Sequence, residues 1–289
     1  MMPLGDHAAP LHKLQRAVRS EQQSMLNHLL SIRQDSQFVA EIITFLRQQG
    51  GRPTLPLFGN LRNGAWYSSH FDGLCYFKST DGHDASYAFS NSRINLNVAV
   101  AAASSSGVVI VDSTRRGKRF PDSMRVTIPL WCHVMNLIVF DATAEESDRL
   151  EIRLPNWVHP SLADDIARRA AHMAESVPAD IKDTIRAELC GRLRAPLEPF
   201  WVCPDSDGTI EWFAADCDGS VEELLQQCSS SGSARRRTTP VILLSCSCVE
   251  REQSPHAQHH SWHYIQGRRI TICAMVVNTF AMIMYGVRI

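Results

Sequence analysis

The chain has 289 residues, of which 44% are hydrophobic and 20% are charged, and its formal net charge is −1. This composition is typical of a globular chain that is long enough for one large domain or two small ones. Because the net charge is close to zero, a broadly basic protein is excluded, and any nucleic acid must be bound by a local basic patch.

The cysteines and the first residues indicate the compartment. The nine cysteines are odd in number and scattered, and none forms a CxxC motif. The start of the chain, MMPLGDHAAPLHKL, lacks the apolar core of a signal peptide. We therefore expect reduced thiols in a cytoplasmic protein.

The first predicted elements are helices within residues 11–48, where apolar side chains recur at spacings of three and four. A break is expected near Asp35 and Ser36, which could cap a second helix. The glycine pair at 50–51 is expected to end this region. Nothing in these helices suggests chemistry, and we expect them to pack on a sheet.

Two strands are predicted next, over residues 65–67 and 74–77, paired around a turn at 71–73. The second strand runs directly into KSTDGH at residues 78–83. This sequence suits a phosphate-rich ligand, because hydroxyls and backbone N–H groups donate hydrogen bonds and the cation supplies charge. Taken alone, however, it is more often a surface turn.

A similar pattern follows residues 108–111, a β-branched run that is typical of a strand buried on both faces. The run continues into DSTRRGKR at residues 112–119, which supplies two hydroxyls, four cations and a glycine. Ligands of open α/β sheets bind at the carboxyl ends of strands, where this loop is expected to lie. The alternative is a solvated basic turn. A helix over residues 89–103 is predicted to cross over between the two strands, and if they are parallel neighbours both loops face one crevice.

The second half of the chain adds helices and one more strand. A buried helix is predicted over residues 129–139, two helices over 161–177 and 179–193, and a buried strand over 241–245. The predicted fold class is therefore α/β, with a mixed sheet that has a partly parallel core flanked by helices and an N-terminal helical region.

Two stretches near the end of the chain allow more than one interpretation. Four histidines within residues 256–263 could hold zinc on a helix, but their polar flanks favour a solvated loop. Residues 270–287 contain no charged side chain. They could form a membrane tail anchor or buried strands.

Together these motifs resemble the initiator-tRNA 2′-O-ribosyl-phosphate transferases of fungi and plants. The resemblance covers roughly residues 28–267 as one ordered run of motifs. The motifs are SIRQDSQFV (31–39), NLRNGAWY (60–67), CYFKSTDGH (75–83), FSNSRINLN (89–97), VIVDSTRRGKRFPD (109–122), TIPLWC (127–132), PLEPFWV (196–202), VILLSCS (241–247) and HYIQG (263–267).

The resemblance implies a reaction. The 5-phosphoribosyl group of phosphoribosyl pyrophosphate is moved to the 2′-hydroxyl of adenosine 64 of initiator methionine tRNA, which distinguishes initiator from elongator tRNA. The donor carries phosphates at both ends of a ribose, so two phosphate-binding loops fit it. Mg²⁺ is the expected cofactor, because pyrophosphate leaves with a large negative charge.

The candidate site residues follow from this chemistry. Asp81 and Asp112 are the candidates for the catalytic role, either as a Mg²⁺ ligand or as the base for the 2′-hydroxyl proton, and the sequence does not choose between them. The candidate donor-binding residues are Lys78, Ser79, Thr80, Ser113, Thr114, Arg115, Arg116 and Lys118. The residues that could instead hold a loop or contact tRNA phosphate are Arg62, His83, Arg93 and Arg119.

The sequence departs from the family's pattern at two places. Family members usually have cysteine where Asn63 stands, a change that we expect to leave the chemistry untouched. After Gly267 the family continues into a phosphatase-like domain, whereas residues 268–289 resemble none of it, which suggests a truncated chain. The predicted division is N-terminal helices (1–52), a transferase domain (53–267) and a divergent apolar tail (268–289).

The expected partner is initiator tRNA, with no DNA and no membrane. A non-catalytic RNA- or nucleotide-binding fragment is the alternative function, because the contribution of a second domain is unknown.

Overall fold

The computed structural model describes residues 13, 25–48, 54–78, 87–115, 117–140, 150–205, 210–213, 238–249, 262 and 264–267. Several predictions fall outside these ranges. They concern most of residues 11–24, the histidines at 256, 259, 260 and 263, and the uncharged stretch 270–287.

One six-stranded sheet forms the centre of the described structure. Its strands are β1 (Leu57–Asn60), β2 (Gly73–Cys75), β3 (Val108–Asp112), β4 (Leu197–Pro204), β5 (Ile210–Phe213) and β6 (Thr239–Ser245). They lie in the order β2-β1-β3-β6-β4-β5, and all neighbours are parallel except β4 and β5. The prediction of a mixed sheet with a partly parallel core is confirmed.

Helices cover both faces of this sheet. They are α1 (Met25–Gln48), α2 (Leu96–Ser105), α3 (Ile128–Phe140), α4 (Pro160–Ser176) and α5 (Ala179–Leu189). α1 packs on one face, whereas α2 to α5 pack on the other. Every residue of β3 and β6 is buried, as expected of parallel strands that are covered on both sides.

Alternation along the central strands divides the core into two layers. Val109 and Val111 of β3 face α1, whereas Val108 and Ile110 face the layer of α2 to α5. The long apolar stretch Ser123–Phe140, a π-helical turn followed by α3, has the length and composition of a membrane span, but 72% of it is buried inside the fold. This stretch therefore contains the buried core helix that was predicted over residues 129–139.

The predicted helix break near Asp35 and Ser36 is wrong, because α1 runs without interruption from Met25 to Gln48. Ser36 donates its hydroxyl back to the carbonyl of Ile32 at 2.7 Å, so it does not cap a new helix. Asp35 is only 1% exposed and points into the protein.

The predicted strand over residues 65–67 is also wrong. Gly64–Trp66 forms a turn of 3₁₀-helix, and β2 pairs with β1 instead. A Cβ atom on Gly64 would lie 1.8 Å from the carbonyl oxygen of Val111, so this turn packs directly on the backbone of β3. The short β1 strand was not predicted.

The crossover between β2 and β3 is confirmed, since α2 lies between them in the chain and both strands run in the same direction. The two strands are not neighbours, however. Each pairs with β1, which lies between them in the sheet. The loops that follow β2 and β3 therefore leave the same edge of the sheet one strand apart.

Candidate functional site

The carboxyl ends of β1, β3 and β6 meet at one edge of the sheet, because these strands are parallel. Residues 113–119, which we call the β3 loop, begin there. The segment 264–267 packs against this loop from outside the sheet. Arg116 lies outside the described residues.

Asp112 ends β3 and is fully buried, with 0% exposure. Its Oδ2 accepts hydrogen bonds from Asn60 Nδ2 at 2.8 Å and from Ser123 Oγ at 3.0 Å. Its Oδ1 accepts from the backbone N–H of Ser113 at 2.8 Å, and the Arg62 guanidinium lies 3.5 Å from Oδ2. Burial raises the pKa of Asp112, whereas Arg62 and these hydrogen bonds act in the opposite direction.

Both carboxylate oxygens of Asp112 are thus occupied by protein groups. The carboxylate ties together the ends of β1 and β3 and the start of the π-helical turn. It also fixes the first peptide of the β3 loop, because Ser113 donates its N–H to the side chain immediately before it. This geometry makes Asp112 an anchor of the loop.

Asn60 connects the β3 loop with the segment that follows β2. Besides its bond to Asp112, its Nδ2 donates to the carbonyl of Phe77 at 3.1 Å, and its Oδ1 accepts from the N–H of Phe77 at 3.0 Å. Lys78 follows directly, and its carbonyl accepts from Thr127 Oγ1 at 3.1 Å. One buried asparagine therefore fixes the start of the predicted second loop relative to the first.

The two hydroxyl residues of the β3 loop face inward. Ser113 is 0% exposed and Thr114 is 4% exposed. Asn63 Nδ2 donates to Ser113 Oγ, and Tyr67 donates its hydroxyl to the same oxygen at 3.0 Å. Asn63, which stands where family members usually have cysteine, is therefore buried against the loop.

Gln266 and Gly267 hold the outer side of the β3 loop. Gln266 Oε1 accepts from the N–H of Gly117 at 2.9 Å, and its Nε2 donates to the carbonyl of Lys118 at 2.8 Å. The Gly267 carbonyl accepts from Arg115 Nε at 3.0 Å and from Asn63 Nδ2 at 3.1 Å.

Only glycine fits at position 267. Its φ is +58°, and a Cβ atom there would lie 1.6 Å from the carbonyl oxygen of Thr114. The backbone at Gly267 therefore packs directly against the backbone of the β3 loop, with no room for a side chain.

A buried polar cluster attaches the segment 264–267 to α1. The Tyr264 hydroxyl donates to Asp35 Oδ1 at 2.8 Å, and Ser247 Oγ donates to Asp35 Oδ2 at 3.2 Å. The N–H of Ile265 donates to Ser31 Oγ at 2.8 Å. Burial and the nearby Asp35 raise the pKa of Tyr264, so the phenol stays protonated and can donate this bond.

The cations of the β3 loop differ in their surroundings. Lys118 Nζ lies 3.0 Å from Asp122 Oδ1, and Arg119 lies 2.9 Å from Glu211 Oε2, so a bound anion must compete with these carboxylates. Arg115 is exposed at the loop surface, with its Nε on the Gly267 carbonyl. Arg93 stacks over the ring of Tyr76, the residue that directly follows β2, at 4.9 Å from the ring centroid.

The structure thus brings Arg62, Asp112, Ser113, Thr114, Arg115 and Lys118 together, and it holds Lys78 nearby through Asn60 and Phe77. Arg119 turns toward β5. The other predicted site residues, Ser79, Thr80, Asp81, His83 and Arg116, lie outside the described residues.

Five residues that shape the site were not assigned from the sequence: Asn60, Asn63, Tyr67, Ser123 and Gln266. Four of them lie within the motifs NLRNGAWY and HYIQG. Their position in those motifs could have identified them as site residues. Ser123 directly follows the VIVDSTRRGKRFPD motif and had no such signal.

Comparisons with known proteins agree with the resemblance seen in the motifs. A family model described as the Rit1 N-terminal domain matches residues 18–269. The chain is 31% identical over 267 residues to a tRNA A64-2′-O-ribosylphosphate transferase of Saccharomyces cerevisiae, which covers 89% of this chain and 49% of that protein. It is also 31% identical over 267 residues to an uncharacterized protein of Schizosaccharomyces pombe, covering 91% of this chain and 51% of that protein.

The chain spans about half the length of these curated relatives. No solved structure matches it. The family match extends over most of the chain and includes the β3 loop together with the segment that holds it. The chain therefore belongs to the family described as the Rit1 N-terminal domain.

Proposed function

We propose that the chain transfers 5-phosphoribosyl from phosphoribosyl pyrophosphate to the 2′-hydroxyl of adenosine 64 of initiator methionine tRNA. The observation that carries this proposal is the β3 loop, a strand-end loop with an exposed arginine and a backbone shaped in advance by Asp112, Gln266 and Gly267. Such a loop suits a small donor with phosphates at fixed positions. The ribosylphosphate transfer for which the Saccharomyces cerevisiae relative is named supports the same chemistry.

The transfer is a substitution at C1 of the donor ribose. The 2′-oxygen of the acceptor forms a bond to C1, while the bond from C1 to pyrophosphate breaks and its electron pair leaves with the pyrophosphate. The 2′-hydroxyl proton passes to a base. Negative charge grows on the leaving group, so Arg115 and the N–H groups of the β3 loop would stabilise the transition state.

Asp112 acts in this proposal as a positioning residue. Its carboxylate is completely buried and already accepts four hydrogen bonds, so it is unsuited to reach the 2′-hydroxyl. Asp81, in the predicted loop after β2, remains the candidate base. It follows Lys78, whose position is fixed through Phe77 and Asn60.

The described residues do not form a complete site for the Mg²⁺ that the family resemblance implies. Among them, no group of three His, Cys, Asp or Glu side chains could hold a metal ion. Asp112 has no free carboxylate oxygen to offer. A magnesium site therefore depends on Asp81 or on the phosphates of the donor itself, and we assign no described residue to it.

The transfer assay tests the proposal directly. The 289-residue chain is incubated with phosphoribosyl pyrophosphate labelled in its ribose and with an initiator tRNA transcript, and label in the tRNA is measured. Transfer should occur to this transcript, should fail with a transcript carrying 2′-O-methyladenosine at position 64, and should be weaker with elongator methionine tRNA.

Binding without transfer would contradict the enzymatic proposal. If the chain binds the transcript in a salt-sensitive manner and moves no label, it is the non-catalytic RNA-binding fragment instead. Cell fractionation tests a separate part of the proposal. We propose a cytoplasmic protein that acts on tRNA, not on DNA and not at a membrane, so the protein should be recovered in the cytoplasmic fraction.

A further inference from the structure

A groove of about 630 Å³ runs between α1 and the segment 67–70, which follows the 3₁₀ turn. We call it the α1 groove. Ser36, Val39 and Ile43 form the inner part of the helix wall. The exposed lining residues of the helix are three or four positions apart and therefore share a face. This exposed stripe consists of Arg33, Gln37, Ala40, Thr44 and Arg47.

The charge along this stripe is entirely positive. Arg33 and Arg47 are exposed at its two ends, and no acidic side chain occurs among the described residues that line the groove. Fourteen positions separate the two arginines, which corresponds to about 21 Å along a helix. The groove therefore offers positive charge at two widely separated points.

These two arginines also differ from the arginines on the opposite face of the sheet. Within the described part of the chain, neither Arg33 nor Arg47 forms an ion pair with a carboxylate, whereas Arg168 pairs with Asp165 and Arg192 pairs with Glu188. Unpaired cations on a groove favour a polyanionic ligand, because no protein carboxylate has to be displaced.

The opposite wall of the groove adds hydrogen-bond donors in a fixed turn. Ser68 Oγ accepts from the N–H of His70 at 3.2 Å and donates to the carbonyl of His70 at 3.0 Å. Ser69 and the His70 ring lie beside it. Hydroxyl and imidazole groups bind ribose hydroxyls and phosphate oxygens without reading a base sequence.

Tyr67 joins this groove to the site. It is fully buried beneath the groove, and its hydroxyl donates to Ser113 Oγ in the β3 loop at 3.0 Å. The groove is thus adjacent to the loop that we assign to the donor, on the face of the sheet covered by α1.

We propose that the α1 groove binds the ribose–phosphate backbone of the RNA acceptor, with Arg33 and Arg47 contacting phosphates some distance apart along the strand. A single phosphate or a free nucleotide is too short to meet both arginines. This inference rests on the proposed function for the identity of the acceptor, and it adds the surface that holds that acceptor.

The test compares two double variants of the whole chain. One is Arg33→Ala with Arg47→Ala. The matched control is Arg168→Ala with Arg192→Ala, which removes two exposed arginines from the opposite face. The measurements are the affinity for unmodified initiator tRNA transcript by fluorescence anisotropy at several salt concentrations, and the KM values for tRNA and for phosphoribosyl pyrophosphate.

The groove variant should bind the transcript roughly tenfold more weakly, and its salt dependence should fall by about one to two units of slope, since each phosphate contact releases a counterion. Its KM for tRNA should rise to a similar extent while its KM for the donor stays unchanged. The control variant should match the wild type in its affinity for tRNA, its salt slope and its KM values. Both variants should keep the wild-type melting temperature.

Two results would overturn the inference. One is an unchanged affinity and salt slope of the groove variant, and the other is a donor KM that rises together with the tRNA KM. If the wild type transfers nothing, the proposed function fails on its own, and the anisotropy measurement still decides whether the groove binds RNA.

Discussion

The β3 loop and the α1 groove lie on either side of Tyr67, and the chain builds them in different ways. The loop is fixed by hydrogen bonds from residues distant in sequence, among them Asn60 and Gln266. The groove has two exposed arginines without carboxylate partners among the described residues. A small ligand with defined phosphates gains from fixed geometry, whereas a long polyanion gains from spaced charge. Substitutions should therefore damage the two regions differently.

The largest effect is expected from Gly267→Ala. The new Cβ would lie 1.6 Å from the Thr114 carbonyl oxygen, and φ is +58°. The segment 264–267 must then move away from the β3 loop, which costs about 2–4 kcal/mol of the free energy of unfolding. We expect donor affinity, measured by calorimetry, to fall by at least about a hundredfold, because the loop loses its outer support.

Gly191→Ala is the matched control for this change. Gly191 also has a positive φ of 78°, but no atom lies within 4 Å of the position that a Cβ atom would occupy there. Only the conformational cost of about 1 kcal/mol remains, and donor affinity should be unchanged. If both variants bind the donor equally well, the close approach of Gly267 does not support the loop.

Asp112→Asn should have the next largest effect. The amide would place an NH₂ group where Asn60, Ser123 or Ser113 now donates to a carboxylate oxygen. We expect a loss of about 2–3 kcal/mol in urea denaturation, because a buried, charge-assisted network loses an acceptor. The exposed Asp183→Asn, on α5, should cost nothing measurable.

The transfer assay then separates anchoring from catalysis. If Asp112 positions the loop, the donor KM of the variant should rise while some turnover remains at saturating donor. A variant that keeps full stability and donor affinity but has no turnover would place Asp112 at the reacting atoms instead.

Gln266→Ala should have a smaller effect, confined to the loop. It removes the acceptor for Gly117 N–H and the donor to the Lys118 carbonyl. Two lost hydrogen bonds in a partly buried loop should raise the donor KM roughly five- to tenfold. Gln266→Glu keeps the acceptor for Gly117 but sets a buried carboxylate oxygen against the Lys118 carbonyl, so it should not restore the wild-type KM. The exposed Gln48→Ala is the matched control and should change nothing. An unchanged donor KM in Gln266→Ala would contradict this account.

The elements that were predicted correctly are those with a strong local pattern. The buried β-branched run of β3 and the apolar helix α3 have this property, and the structure places them where the sequence indicated. The crossover helix α2 was also found, but it begins at Leu96, seven residues after the predicted start. The loop after β3 was found for the same reason, since cations and hydroxyls directly follow a buried strand. Local patterns are sufficient here because neighbouring residues determine both the strand and its end.

The errors arose where distant residues decide the outcome. Residues 65–67 have strand-like composition, but the turn before Tyr67 packs on the backbone of β3. Aspartate is a common helix cap, but the carboxylate of Asp35 accepts hydrogen bonds from Tyr264 and Ser247, which lie more than 200 positions away in the chain. The roles of Asn60 and Gln266 were missed likewise, because a lone amide side chain has no local signature.

The smallest effect, and the sharpest comparison, comes from replacing one arginine with lysine in each region. Arg115 donates a hydrogen bond from Nε to the Gly267 carbonyl, and lysine has no equivalent atom. Arg115→Lys should therefore raise the donor KM by roughly threefold, which corresponds to the loss of one exposed hydrogen bond. Arg33 has no such fixed partner among the described residues, and its proposed role requires only positive charge. Arg33→Lys should therefore leave the tRNA KM within about twofold of the wild type. A tRNA KM that rises as steeply in Arg33→Lys as in Arg33→Ala would mean that the groove recognises the guanidinium geometry, and the contrast between a shaped loop and a charged groove would then fail.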